Sequence, residues 1–209
     1  MIEEEYKISK KEHLKLLKAH RNNIAISDMN LPYKFEKFED NVLKESETLL
    51  YEVTKNPTTF KRYARGRIVK IKFGVNVGSE FSGDHFAIVV SKRDTMKNPV
   101  LHVIPITSKK HLKNIEIGSI LYNEDLLMEL SQKLELENDS KKVRKIKQCI
   151  KYYSNRKGKT SYACIDHLKT VSKLSILNNI NEYDYLPHIK CSNELMKKID
   201  EAIIDEYTI

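Results

Sequence analysis

A chain of 209 residues that is 40% hydrophobic can bury one good core with helical appendages, and no run approaches the roughly 18 apolar residues of a membrane-crossing helix. Its formal charge of +8 is uneven: residues 1–60 hold 10 Lys/Arg against 11 Asp/Glu and residues 177–209 hold 3 against 7, so the excess lies between 61 and 176, where 24 face 11. A cationic middle between neutral or acidic ends favours a polyanionic partner, nucleic acid first among them, and the acidic start MIEEEYKISK is unlike a secretory leader, so a cytosolic protein with no membrane partner is expected.

Residues 1–60 read as a helical extension. Ser9 and Glu12 form an S-x-x-E capping box ahead of Leu14, Leu16, Leu17 and Ile24, which predicts a first helix over about 10–22. A second is expected after Pro32, where Phe35, Phe38, Val42, Leu49, Leu50 and Val53 recur at helical spacing until KNPTTF breaks it. From Arg65 the period changes. RGRIVKIKF alternates Val69, Ile71 and Phe73 against Lys70 and Lys72, as a half-buried strand does. HFAIVVSK, VLHVIPIT and NIEIGSIL supply further strands. Gly74, Gly78 and Gly83 punctuate the first connection and predict a sharply turning, mobile, exposed loop.

A helical interlude follows over about 122–159, split by ENDS at 137–140 and placing Val143, Ile146, Ile150 and Tyr153 on one face. TSYACIDHLKTVSK returns to strand character, and Ser192 caps a closing helix whose Leu195, Ile199, Ala202 and Ile203 face inward. Cys149, Cys164 and Cys191 are widely separated and suit neither a disulfide framework nor a zinc site; no metal and no cofactor is expected. Short strands, glycine turns and added helices suggest an α+β chain built on a small, bent β-barrel, with residues 61–209 as its domain.

RGRIVKIKFGVNVGSEFSGDHFAIVVSKRD, VLHVIPITSKK, ACIDHLKTVSK and NELMKKIDEAI together resemble the MazF/PemK (Kid) family of toxin endoribonucleases. The shared features are an R-G first strand, a G-S-E-x-x-G loop, a strand ending in P-I-T-S, a later acidic-x-x-K-T-V strand and a C-terminal helix. The resemblance implies an SH3-like barrel, a homodimer with an RNA groove near the dimer interface, and metal-independent cleavage of single-stranded RNA. It also implies a cognate antitoxin whose peptide occupies the same groove. Two positions depart from the pattern. His85 stands where the family commonly has a catalytic arginine, and Arg67 where it often has an acidic residue.

Metal-free RNA cleavage needs a base for the 2′-hydroxyl, donors for the phosphorane and an acid for the 5′-oxygen. His85 can serve as either acid or base, since an unperturbed imidazole titrates near neutrality. The resemblance places Thr107 at the scissile phosphate, with Ser108 beside it; the plain alternative is a strand-end turn. It gives Asp166 a proton-transfer role, where the alternative is a surface carboxylate; strand alternation puts His167 on the opposite face. Ser79 and Glu80 lie where the loop approaches RNA, Glu80 serving equally as a loop-capping carboxylate, and Lys169 is a phosphate contact. His102 shares its parity with Ile104 and Ile106 and reads as a core histidine.

Ser140 to Lys159 carries nine Lys/Arg, no acidic residue and a Tyr pair, so Lys141 and Lys145 are RNA-binding candidates; a solvated helix face is the alternative. The N-terminal extension either pads the barrel, extends a dimer interface or shields the groove. Two rivals to the endoribonuclease reading are a non-catalytic RNA-binding regulatory module on the same barrel and a gyrase-inhibiting toxin of the same fold.

Overall fold

The computed structural model describes residues 9–29 and 35–208. Helix α1 (Lys10–Ser27) begins at the expected box: Ser9 Oγ accepts the Glu12 N–H at 3.3 Å and the Glu12 carboxylate accepts the Ser9 N–H at 2.8 Å. It runs a turn beyond the expected end and buries none of its residues. Helix α2 (Phe38–Lys55) stops at Asn56, which takes a left-handed φ of 41°. The expected start after Pro32 lies outside the described residues. Phe38 and Asn41 are the buried positions of α2, whereas Leu49, Leu50 and Val53 are exposed, as are Leu14, Leu16, Leu17 and Ile24 of α1. Their helical spacing forms helices, but no barrel surface covers these stripes.

The sheet is antiparallel and contains β1 (Ile68–Lys72), β2 (Asp84–Val89), β3 (Val100–Thr107), β4 (Asn114–Gly118), β5 (Ser161–Cys164) and β6 (Lys169–Ser172). Its order is β1-β2-β3-β5-β4, with β6 also paired to β3. The sheet is not a closed barrel. The outer edge of β1 carries single bridges, Ile71 with Ile176 and Arg67 with Lys190, and Leu177 N–H donates to Lys70 O at 2.8 Å. Loop backbone stitches that edge in place of a closing strand.

Both faces of the sheet carry core residues; β1 keeps the expected alternation, with Val69 and Ile71 buried and Lys70 and Lys72 part-exposed, and Ile68 adds a buried residue on the other face. Ile68, Ile88, Ile104 and Ile106 pack with Ile146, Tyr153 and Ile199, while Val69, Ile71, Ala87, Val89, Leu101, Val103 and Val171 form a second cluster behind them. The first cluster reaches Ile104 and Ile106 but stops short of His102, which is exposed, with its N–H donating to Ser91 Oγ at 2.9 Å. The expected core histidine is therefore a surface one.

The interlude is the expected hairpin, α3 (Glu124–Leu136) and α4 (Ser140–Ser154). Asp139 caps α4 by accepting the Lys141 and Lys142 N–H groups. Ile146, Cys149 and Tyr153 face the core; Tyr153 stacks on Tyr185 at 3.8 Å between centroids and its hydroxyl donates to Asp184. Helix α5 (Asn193–Tyr207) is capped by Ser192 and buries Met196 and Ile199, with Leu195, Ala202 and Ile203 at the edge of the same cluster. Burial pushes the thiols of Cys149 and Cys191 up to about 11 and that of Cys164 to about 12, which leaves all three inert and unpaired.

Candidate functional site

The glycine-rich connection between β1 and β2 turns at three positive-φ glycines, Gly74 (72°), Gly78 (60°) and Gly83 (80°). It is braced rather than loose. Gly83 N–H donates to Gly74 O at 2.6 Å across its neck, and the Asn76 amide donates to Phe73 O at 2.8 Å and Phe81 O at 2.6 Å. Asn76 N–H also reaches Ser82 Oγ at 3.0 Å. These bonds fold the loop inward and bring Phe81 under it.

His85 belongs to β2, the strand expected from HFAIVVSK, and it is half-buried rather than exposed. The Phe81 ring stands edge-on to it at 4.8 Å, with Phe73 at 6.4 Å. Burial holds the His85 pKa below its ordinary value; the carbonyls of Ser82 and Ile106, and then the Asp84 charge, offset part of that cost. A neutral imidazole therefore faces the end of β3. The β2–β3 pairing ends at Ala87 with Pro105, and the Ile106 carbonyl beside the His85 ring places it near the end of β3.

Thr107 is half-exposed and its Oγ1 accepts the Lys109 N–H at 3.1 Å, the strand-end turn that was the plain alternative. The bond leaves the hydroxyl proton available to a ligand. Ser108 and Ser79 are exposed beside it and on the loop respectively. Glu80 Oε2 takes the Lys169 ammonium at 3.2 Å, tying the loop to β6. Asp166 and His167 do not lie on a strand: Ile165–His167 is a 3-10 turn between β5 and β6. Six residues from Ala163 to Lys169 span only three of β3, from Ile106 to Val103, and the surplus is thrown out as this turn. Asp166 Oδ1 consequently sits 4.0 Å from His167 Nε2, and His167 also meets Phe81, edge-on at 5.0 Å.

Phe81 thus links His85, Phe73 and His167, with Asp166 beside His167 and the Glu80–Lys169 pair tying the same loop to β6; sequence reasoning did not place Phe81, Phe73 or His167 there, and Thr107 stands at the end of β3. Pro105 carried a usable signal. A proline in a strand interior cannot donate to a neighbour, so the facing chain is free to bulge. The groove does not gather Lys141 or Lys145. Lys145 pairs with Glu182 at 2.8 Å, and Lys141 lies at the start of α4, whose other end packs on the sheet face opposite His85 through Arg156 over Phe86. Among the described residues no group of His, Cys, Asp and Glu is placed to hold a metal ion, and no helix is long and apolar enough to cross a membrane.

The family model described as PemK-like, MazF-like toxin of type II toxin-antitoxin system matches residues 64–206, a span that takes in every strand and the whole groove. No curated protein matches the chain.

Proposed function

The chain belongs to the PemK-like, MazF-like toxins of type II toxin-antitoxin systems, and from that membership and the groove chemistry we propose that it is a metal-independent endoribonuclease cleaving single-stranded RNA. The observation that carries the reading is His85: a half-buried imidazole with a lowered pKa, beside the Ile106 carbonyl near the end of β3. Held neutral near pH 7, it is suited to take the proton from a ribose 2′-hydroxyl. The Thr107 hydroxyl, with Ser108 beside it, donates to a non-bridging oxygen, and Lys169 supplies positive charge to the same phosphate. The Ile165–His167 turn provides the group that protonates the 5′-oxygen, consistent with the proton-transfer role the resemblance gives Asp166.

Family membership implies a cognate antitoxin, which on this reading covers the same groove. A homodimer and a cytosolic place of action complete the proposal, as does an SH3-like barrel frame of which the open sheet is the core.

The test is incubation of the purified chain with a long single-stranded RNA in EDTA. Fragments ending in a 2′,3′-cyclic phosphate and beginning with a 5′-hydroxyl are expected. Binding without cleavage would instead identify a regulatory RNA-binding module, and trapped gyrase complexes with intact RNA a gyrase poison.

A further inference from the structure

We infer that His167 is the second proton-transfer residue of the groove, the general acid that works opposite His85 as base, and that Asp166 positions its ring. The inference rests on the endoribonuclease reading and replaces Asp166 as the proton donor within it. In-line attack places nucleophile and leaving oxygen on opposite sides of phosphorus, so base and acid must approach from two directions. Phe81 brings two imidazoles from different elements to one place. Its ring has His85 edge-on at 4.8 Å with an interplanar angle of 78° and His167 edge-on at 5.0 Å with an angle of 72°. One imidazole comes from β2 and the other from the turn before β6, so a ribose-phosphate lying over the rim of Phe81 meets one ring from each element.

The turn makes the pairing with Asp166 possible. On a strand the two side chains would point apart; in the 3-10 turn they converge, and the Asp166 carboxylate stands 4.0 Å from His167 Nε2. Asp166 is exposed and pairs with the ring when the ring is protonated. The other charges around the turn are already engaged. Lys169 is held by Glu80, and Lys113 by Glu206 of α5, from which the Tyr207 hydroxyl also donates to Ile165 O. Asp84 adds its charge on the His85 side.

The step balances. The 2′-oxygen forms its bond to phosphorus as its proton passes to His85; the bond from phosphorus to the 5′-oxygen breaks with its electron pair on that oxygen, which takes a proton from His167. RNA leaves as a 2′,3′-cyclic phosphate and a 5′-hydroxyl. Exchange with water resets both rings.

The experiment compares two substrates, an ordinary RNA and the same RNA with a 5′-bridging sulfur at the scissile phosphate, whose thiolate departs without a proton. Wild type, His85→Ala, His167→Gln, His167→Asn and Asp166→Asn are measured from pH 5 to 9, with circular dichroism and RNA affinity monitoring the fold. His167→Gln and His167→Asn are expected to lose about a hundredfold or more on ordinary RNA, to lose the alkaline limb of the rate profile, and to cleave the sulfur substrate near the wild-type rate. His85→Ala stays impaired on both substrates, and Asp166→Asn shows a smaller loss with the alkaline limb kept. Folded His167 variants that match wild type on both substrates, or are impaired equally on both, overturn the inference while leaving the endoribonuclease reading intact. A wild-type chain that cleaves neither substrate overturns that reading first.

Discussion

Glu80 Oε2 and Lys169 Nζ lie 3.2 Å apart, so a loop carboxylate occupies the cation proposed above for phosphate. Both side chains are well exposed, and such a pair contributes no more than about 1 kcal/mol to stability. Its consequence falls on binding instead. RNA must take Lys169 from Glu80, so Glu80→Gln is expected to tighten RNA binding a few-fold and Lys169→Ala to weaken it. Affinity measured across a salt series should show the Lys169→Ala slope flattened by about 0.7, the share of one phosphate on a single strand. Equal affinities for wild type and Glu80→Gln would mean that the pair is not in the path of the RNA.

His85 has a pKa below its ordinary 6.5 because burial outweighs the Ser82 and Ile106 carbonyls and the Asp84 charge. The unfolded chain therefore takes up a proton while the folded one is still neutral. Stability is full above about pH 6.5 and falls as pH drops from there toward the lowered value. Urea unfolding from pH 5 to 8 is expected to show this loss in wild type and its absence in His85→Gln. Activity follows the same group. As a base His85 fails when protonated, so the rate falls on the acid side of a pKa under 6.5, and His85→Ala loses about a hundredfold or more with that limb gone. An acid limb that persists unchanged in His85→Ala would remove His85 from the proton transfer.

Local signals were legible and convergent ones were not. Ser9 with Glu12 and Ser192 mark helix starts through side-chain to backbone bonds a few residues long, and each makes the bond its sequence announces. The glycines likewise turn where they stand. The burial of His85 depends on Phe73 and Phe81 meeting over it, and that meeting depends on Asn76 folding the loop back, which no short spacing encodes. ACIDHLKTVSK reads as one strand because its composition is continuous; its break comes from the length of β3 opposite, a count available only once the register is known. The apolar spacing of α1 and α2 shows that helices form but not what they meet, and most of their apolar residues meet solvent.

The basic insertion should carry little of the RNA affinity. Lys145 is neutralised by Glu182 and Lys142 by Glu137, and Lys141 is about 16 Å along α4 from Tyr152, at 1.5 Å per residue. Lys141→Ala with Lys145→Ala is expected to leave the salt slope of RNA binding where wild type has it, in contrast to Lys169→Ala. A slope flattened by more than about 0.7 in the double variant would place the insertion on the RNA after all.

The deepest ion pair joins three segments far from the groove's chemistry. Lys173 Nζ lies 2.7 Å from Asp94 Oδ1, with side chains 2% and 1% exposed. Asp94 Oδ2 accepts the Tyr63 N–H at 2.8 Å and the ammonium donates to Thr95 O at 3.0 Å, so the pair fastens the lead-in to β1 and the turn before β3 to the end of β6. Oδ1 makes no hydrogen bond, and the ammonium is its compensating charge. Removing one partner strands the other in a dry site, which costs about 3–5 kcal/mol, whereas an apolar pair of similar volume is close to neutral. Lys173→Met and Asp94→Leu are each expected to lower the unfolding free energy by that amount, and the double variant by far less than their sum. Lys173→Met alone should also shift β6, and with it Lys169, so RNA affinity falls alongside stability. Additive losses in denaturant unfolding would show that the two charges are compensated separately, by Thr95 and Tyr63, and not by each other.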